Sequence, residues 1–197
     1  MQKPNNYEET KVGGGDFTPV DLGGHKAIIK KAEETTSSTG KPMLKVAIDF
    51  DKDDVQPNYF TDLFNNDTRE DKKWNNNGML YIVSEDANGA CTKSFKSFLT
   101  SVKNSNPGWE EVWGKDFGVQ LKGKKIGVVY GEVENEYEGK VTMQHRYRWC
   151  CDYAKATEQK VPAPQYLNGS SPAVQPTAPT SDGFLDAGDV SDSEIPF

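Results

Sequence analysis

Pro42-Met43-Leu44-Lys45-Val46-Ala47-Ile48-Asp49-Phe50 is the stretch whose pattern sets the fold class. Leu44, Val46, Ile48 and Phe50 fall on one side of an extended chain, and Lys45, Ala47 and Asp49 on the other. That period of two marks a strand with one face in a core. Upstream, residues 25–34 supply a second strand. Thr35-Thr36-Ser37-Ser38-Thr39-Gly40-Lys41 between them is a turn by composition, so a hairpin is the simplest connection. Downstream, a third strand is expected at 58–64, followed by an asparagine- and charge-rich exposed loop at 65–77 around Trp74. Residues 79–83 are short and apolar and fit either a strand or a helix. Residues 92–102 read as a helix, with Phe95, Phe98, Leu99 and Val102 at helical spacing, and 104–108 break it. Two more strands follow at 124–134 and 140–153, joined by a turn at Glu138-Gly139. In the last, Val141, Met143, His145, Tyr147 and Trp149 share one face, expected to be the core face for Tyr147 and Trp149, while Gln144, Arg146 and Arg148 share the other. The order strand-strand-strand-helix-strand-strand predicts a mainly β chain with α+β detail, an OB-like five-stranded barrel with one helix and a disordered C-terminal tail. The spacing also fits other small α+β folds.

The 197 residues divide unevenly. Residues 1–23 are polar and glycine-punctuated, an irregular lead-in; 24–156 carry the pattern of a single domain. Residues 157–188 are rich in Pro, Ser and Thr with few large apolar groups. They cannot bury enough surface to offset their ordering entropy and are read as a disordered linker. Residues 189–197 form an acidic tip. No run approaches the ~18 apolar residues of a membrane span, so no membrane association is expected. The opening Met1-Gln2-Lys3-Pro4-Asn5-Asn6 has no apolar stretch and reads as no secretory signal. Three cysteines, Cys91, Cys150 and Cys151, do not make a disulfide framework, and a reducing, cytoplasmic setting is expected.

The net charge of −7 argues against a nucleic-acid binder until it is divided. Residues 161–197 hold no Lys or Arg and five acids, so the tail carries −5. The first 160 residues hold all 23 bases and 25 acids, a net of −2. Within them, 91–131 has seven lysines against three acids, and 139–160 has five bases against two acids. A moderately basic half-domain is thus joined to an acidic tail.

No catalytic constellation is apparent, and the chain is expected not to be an enzyme. His25 and His145 are the only histidines, and His145 shares a strand face with apolar groups. There is no CxxC pair or HExxH, so neither a metal nor another cofactor is expected. Gly13-Gly14-Gly15 is followed by Asp16 and Phe17 rather than by the lysine of a phosphate loop.

The sequence ends Asp189-Val190-Ser191-Asp192-Ser193-Glu194-Ile195-Pro196-Phe197. An apolar pair flanking a proline after an acidic stretch suits a partner's pocket: Phe197 fills it, Pro196 limits the entropy lost, and Asp189, Asp192 and Glu194 meet basic groups around it. This ending resembles the tip of bacterial and phage single-stranded-DNA-binding proteins. In that family Asp is usual where Ser193 and Glu194 stand, so the match is identical at Ile195, Pro196 and Phe197. The body is more similar to members from phages and mobile elements, through Gly24-His25-Lys26-Ala27-Ile28-Ile29-Lys30-Lys31-Ala32-Glu33 and Gly40-Lys41-Pro42-Met43-Leu44. Residues 65–120 hardly share in the likeness. The resemblance implies an OB domain that binds and protects single-stranded DNA without sequence specificity in a bacterial host cell. It also implies a tip that recruits replication, recombination and repair proteins, and an anionic tail that competes with DNA for the basic groove.

Holding a single strand takes cations along the phosphates and flat rings under the bases. The candidates are Arg146 and Arg148 flanking Tyr147; Lys122, Lys124 and Lys125 ahead of Tyr130; Tyr59 and Phe60, of which alternation points one inward and one outward; Trp74 beside Lys72 and Lys73; and Lys45 on the non-core face of its strand. Trp74 is the favoured stacking ring, since nothing apolar surrounds it in sequence. Two other readings stay open: an adaptor that tethers replication proteins without touching DNA, and a strand-annealing recombination protein. Self-association is open too.

Overall fold

The computed structural model describes residues 18–167 together with 2, 3, 5, 7 and 8. Strands β1 (Gly23–Thr36) and β2 (Pro42–Phe50) form the expected hairpin. Its turn closes through the Ser37 N–H to the Lys41 carbonyl (2.8 Å) and the Gly40 N–H to the Ser37 carbonyl (2.9 Å). Leu44, Val46, Ile48 and Phe50 are buried, as their period demands. On β1 the alternation runs only to Ile29. A register shift between Ile29 and Lys31 inserts Lys30, so that Ala32 stands opposite Val46 and keeps the core face.

The expected third strand at 58–64 is a helix, α1 (Tyr59–Asn66). Asp49, on the non-core face of β2, is the reason. Its buried carboxylate accepts from the Phe60 N–H (2.9 Å), the Thr61 N–H (3.3 Å) and the Thr61 hydroxyl. A helix whose first N–H groups are satisfied by a distant carboxylate gives no local capping signal. The ambiguous 79–83 is strand β3 (Met79–Val83). Helix α2 (Lys93–Ser105) starts where Thr92 accepts from the Phe95 N–H (3.2 Å), and buries Phe95, Phe98, Leu99 and Val102.

Strands β4 (Lys125–Tyr137) and β5 (Lys140–Cys151) meet at Glu138-Gly139, both at positive φ, as tight hairpins require. Val129 pairs with Trp149 and Tyr130 with Tyr147, leaving Arg148 as an inserted residue. The bulge reverses the face of everything beyond it. Tyr147 and Cys150 pack on the core, whereas Trp149, expected inside, is 40% exposed.

All five strands are antiparallel neighbours in one open sheet of order β3-β2-β1-β4-β5, so the chain is β-rich. The described residues hold two α-helices and three 3-10 turns (Asn76–Gly78, Phe117–Leu121, Tyr153–Glu158) rather than a single helix. Among the described residues no helix is long and apolar enough to cross a membrane.

Residues 157–167, assigned by composition to the linker, fold back on the sheet instead. Gln165 pairs in parallel with β4: its N–H meets the Glu132 carbonyl (3.0 Å), and its carbonyl takes the Glu134 N–H (2.8 Å). The return path depends on missing side chains. A Cβ at Gly24 would stand 1.8 Å from the Ala156 carbonyl oxygen, and one at Gly131 would stand 2.6 Å from Pro162.

Candidate nucleic-acid interface

The strap formed by residues 153–165 covers the outward face of β4 and the start of β1 and leaves the β2–β3 side of that face open. There Tyr81 projects from β3 at 55% exposure, and its neighbour across the sheet is Lys45 on β2. Lys45 stands opposite Glu33 on β1, and Ala47 opposite Lys31. Lys30 and Lys31 are exposed at the bulge. The residues leading into β4 run beside them: the Gly123 N–H meets the Ile29 carbonyl (2.7 Å), and the Ile29 N–H meets the Lys124 carbonyl (2.9 Å). Lys122, Lys124 and Lys125 are thereby added to the same edge of the surface.

Two aromatic rings mark the far end of this band. The Lys124 ammonium lies 5.7 Å from the Trp109 ring centre, and those of Lys125 and Lys26 lie 4.6 and 5.5 Å from that of Tyr153. Asn106 fixes the geometry, accepting from the Lys125 N–H (3.0 Å) and donating to its carbonyl (2.8 Å). Burial and a hydrogen bond to Asp51 (2.6 Å) push the Tyr153 hydroxyl well above its ordinary range, so the ring stays neutral. Two acids lie within the band: Asp51, 3.9 Å from the Lys125 ammonium, and Glu33, whose carboxyl the Lys31 ammonium it binds holds below the usual value.

The other sequence candidates are dispersed. Tyr130 and Phe60 are fully buried, so neither ring is open to a base. The Tyr130 hydroxyl donates to the Asn77 carbonyl. Tyr59 is half-buried against Phe50 and Phe60, and its hydroxyl donates to the Thr18 carbonyl (2.8 Å). Tyr147 packs on the core with its hydroxyl 2.7 Å from the Cys150 sulfur; burial raises that thiol to about 12. Trp74 is no isolated ring in a polar loop. It lies over Gly78 and Phe64 and donates to the Ile48 carbonyl (3.1 Å). Lys72 and Lys73 lie beside it, Lys72 over Phe64 and Lys73 paired with Asp71 (3.6 Å).

The two arginines have different fates. Arg146 donates to the Asn77 side chain (3.1 Å) and to Gln144 (2.5 Å), at the seam between β5 and the turn ahead of β3. Arg148, expected as its phosphate-facing twin, donates to the Glu132 (3.3 Å) and Ala163 (3.2 Å) carbonyls and pins the strap. The six tip residues Asp189, Asp192, Glu194, Ile195, Pro196 and Phe197 lie outside the described residues.

Tyr81, Trp109, Tyr153, Lys26, Lys30 and Lys31 were missed by sequence reasoning. The Lys30-Lys31 pair is a visible signal. The others needed the pairing of strands distant in sequence. Among the described residues no group of His, Cys, Asp and Glu is placed to hold a metal ion. Comparison of the chain with protein-family models finds no match, and comparison with curated protein sequences finds none.

Proposed function

We propose that this chain is a non-catalytic protein that binds single-stranded DNA without sequence preference, on the band from Tyr81 and Lys45 across β1 to Lys124 and Trp109. The observation that carries the reading is a row of lysines beside the exposed ring of Tyr81 on an uncovered sheet face, with the part-buried Trp109 ring at its end, the pairing that a sequence-tolerant single-strand site needs. Lys45, Lys30, Lys31, Lys122 and Lys124 meet phosphates; Tyr81 and Trp109 offer rings to bases. Arg146 extends the surface at the seam.

The topology supports an OB-type barrel. Closing the order β3-β2-β1-β4-β5 between its end strands, with a helix joining β3 to β4, gives the five-stranded, partly open Greek-key arrangement whose β2–β3 face takes oligonucleotides. Tyr130 and Arg146 both bond Asn77, two residues ahead of β3, and so tie β4 and β5 to that end of the sheet. The acidic Ile195-Pro196-Phe197 ending is the second functional part. It recruits replication, recombination or repair proteins in the cytoplasm of a bacterial host cell carrying a phage or mobile element.

Fluorescence anisotropy of a labelled ~30-nucleotide dT oligomer, titrated with full-length protein beside a duplex of equal length, tests the reading. Submicromolar binding to the single strand with much weaker binding to duplex is expected. No binding at low salt would overturn it and favour the adaptor.

A further inference from the structure

A groove of about 380 Å³ opens between the end of the β1–β2 hairpin, the start of α2 and the segment 113–117. Its walls are mostly apolar: Met43, Leu44, Phe95, Phe117 and Trp113. Trp113 is 62% exposed, yet its indole is held, stacked on Phe117 at 4.7 Å and 18° and tilted against Phe95 at 6.2 Å. A ring braced by a second ring and otherwise uncovered is a stacking platform with its ordering cost already met. Polar groups on the same walls are Ser84, Glu34 and Glu85. One Glu34 oxygen is occupied by the Gly118 N–H (3.2 Å).

The groove does not stand alone. Glu34 and Thr35 also line a neighbouring cleft that carries Lys45 and Lys115, so the lysine band runs directly to the groove's rim. A single strand laid along those lysines would reach Trp113. The volume lies at the small end of ligand clefts (~300–1,000 Å³), which suits one flat ring system rather than a folded segment. Carboxylates on the wall repel phosphate but accept hydrogen bonds from exocyclic amino groups, as Glu and Asp do from the N4 of cytosine.

We infer that the Trp113 groove holds one unpaired nucleobase of a bound single strand, stacked on the indole, and favours bases bearing an exocyclic amino group over thymine. This rests on the reading under Proposed function and refines it: the lysine band takes any sequence, and this one position grades affinity between bases without excluding any.

The test uses full-length protein with labelled dC and dT oligomers of equal length, titrated against wild type, Trp113→Ala, Trp113→Phe and Glu85→Leu. Wild type is expected to bind dC several-fold more tightly than dT. Trp113→Ala should weaken both by about fivefold or more, the loss of one stacked base. Trp113→Phe should restore most of that, and Glu85→Leu, which removes the acceptor, should bring the dC-to-dT affinity ratio close to one, with any gain from the lost negative charge shared by both oligomers. Wild-type affinity for both oligomers in Trp113→Ala overturns the inference, leaves the lysine band standing, and assigns the groove to some other occupant such as a protein segment. Failure of wild type to bind either oligomer overturns the band and the groove together.

Discussion

Asp49 and Asp54 show how single carboxylates decide local structure here. Asp49 accepts four hydrogen bonds, from the Phe50, Phe60 and Thr61 N–H groups and the Thr61 hydroxyl, in a nearly water-free site. Asp49→Ala leaves those donors unsatisfied and is expected to cost about 2–4 kcal/mol, read as a lower urea midpoint with loss of helical signal from α1. Asp54 ties the 51–58 loop to β1, accepting from the Lys26 N–H (2.7 Å), the Gln56 N–H (3.0 Å) and the His25 ring (2.9 Å). Burial works to raise its carboxyl, but the bonds from His25, Gln56 and Lys26 outweigh it and hold the group below the ordinary value of 3.8. A depressed carboxyl stabilises the fold fully above the unfolded-state value, and that contribution is lost as pH falls through the folded one. Asp54→Asn is therefore expected to unfold more readily than wild type at pH 7, with the gap closing below about pH 4 in parallel thermal melts.

Bulges and return segments account for most of what the sequence concealed among the elements. The β1–β2 hairpin, α2 and the β4–β5 hairpin were legible because periods of 2 and 3.6 are local properties. The insertions at Lys30 and Arg148 were not: a bulge shifts the pattern by one residue and leaves composition untouched, which is why Trp149 seemed to share a face with Tyr147. Helix α1 was hidden because its cap comes from β2. The strap was hidden because Pro162 and Gln165 sit in a linker-like composition, while what holds them is Gly24, Gly131 and Arg148 far upstream. Lys45 and the Lys122–Lys125 run were legible as cations; their union through β1 required the sheet order. At this scale, Gly24→Ala should release the 153–167 segment, seen as faster limited proteolysis there. Arg148→Ala should loosen the same segment while changing single-strand affinity less than twofold, in contrast to Lys45→Ala. Equal losses for Arg148→Ala and Lys45→Ala would return Arg148 to the phosphate-contact role.

The whole molecule separates its charges: the lysines of the band lie on the sheet, and residues 161–197 carry five acids and no base. Affinity drawn from phosphate contacts falls steeply with salt, with a slope of roughly 0.7 per neutralised phosphate on single strands. Five engaged lysines would then give a log–log slope of about −3.5, and removal of residues 168–197 should leave affinity equal or higher. Which lysines carry the affinity decides where on the molecule the strand lies. Anisotropy with the ~30-nucleotide dT oligomer at fixed low salt should be run on Lys45→Glu/Lys124→Glu beside Lys72→Glu/Lys73→Glu, two variants of identical net charge. A loss of about tenfold or more is expected for the first pair and a much smaller change for the second. Equal losses in both would contradict that placement, reducing the band to one part of a diffuse electrostatic attraction.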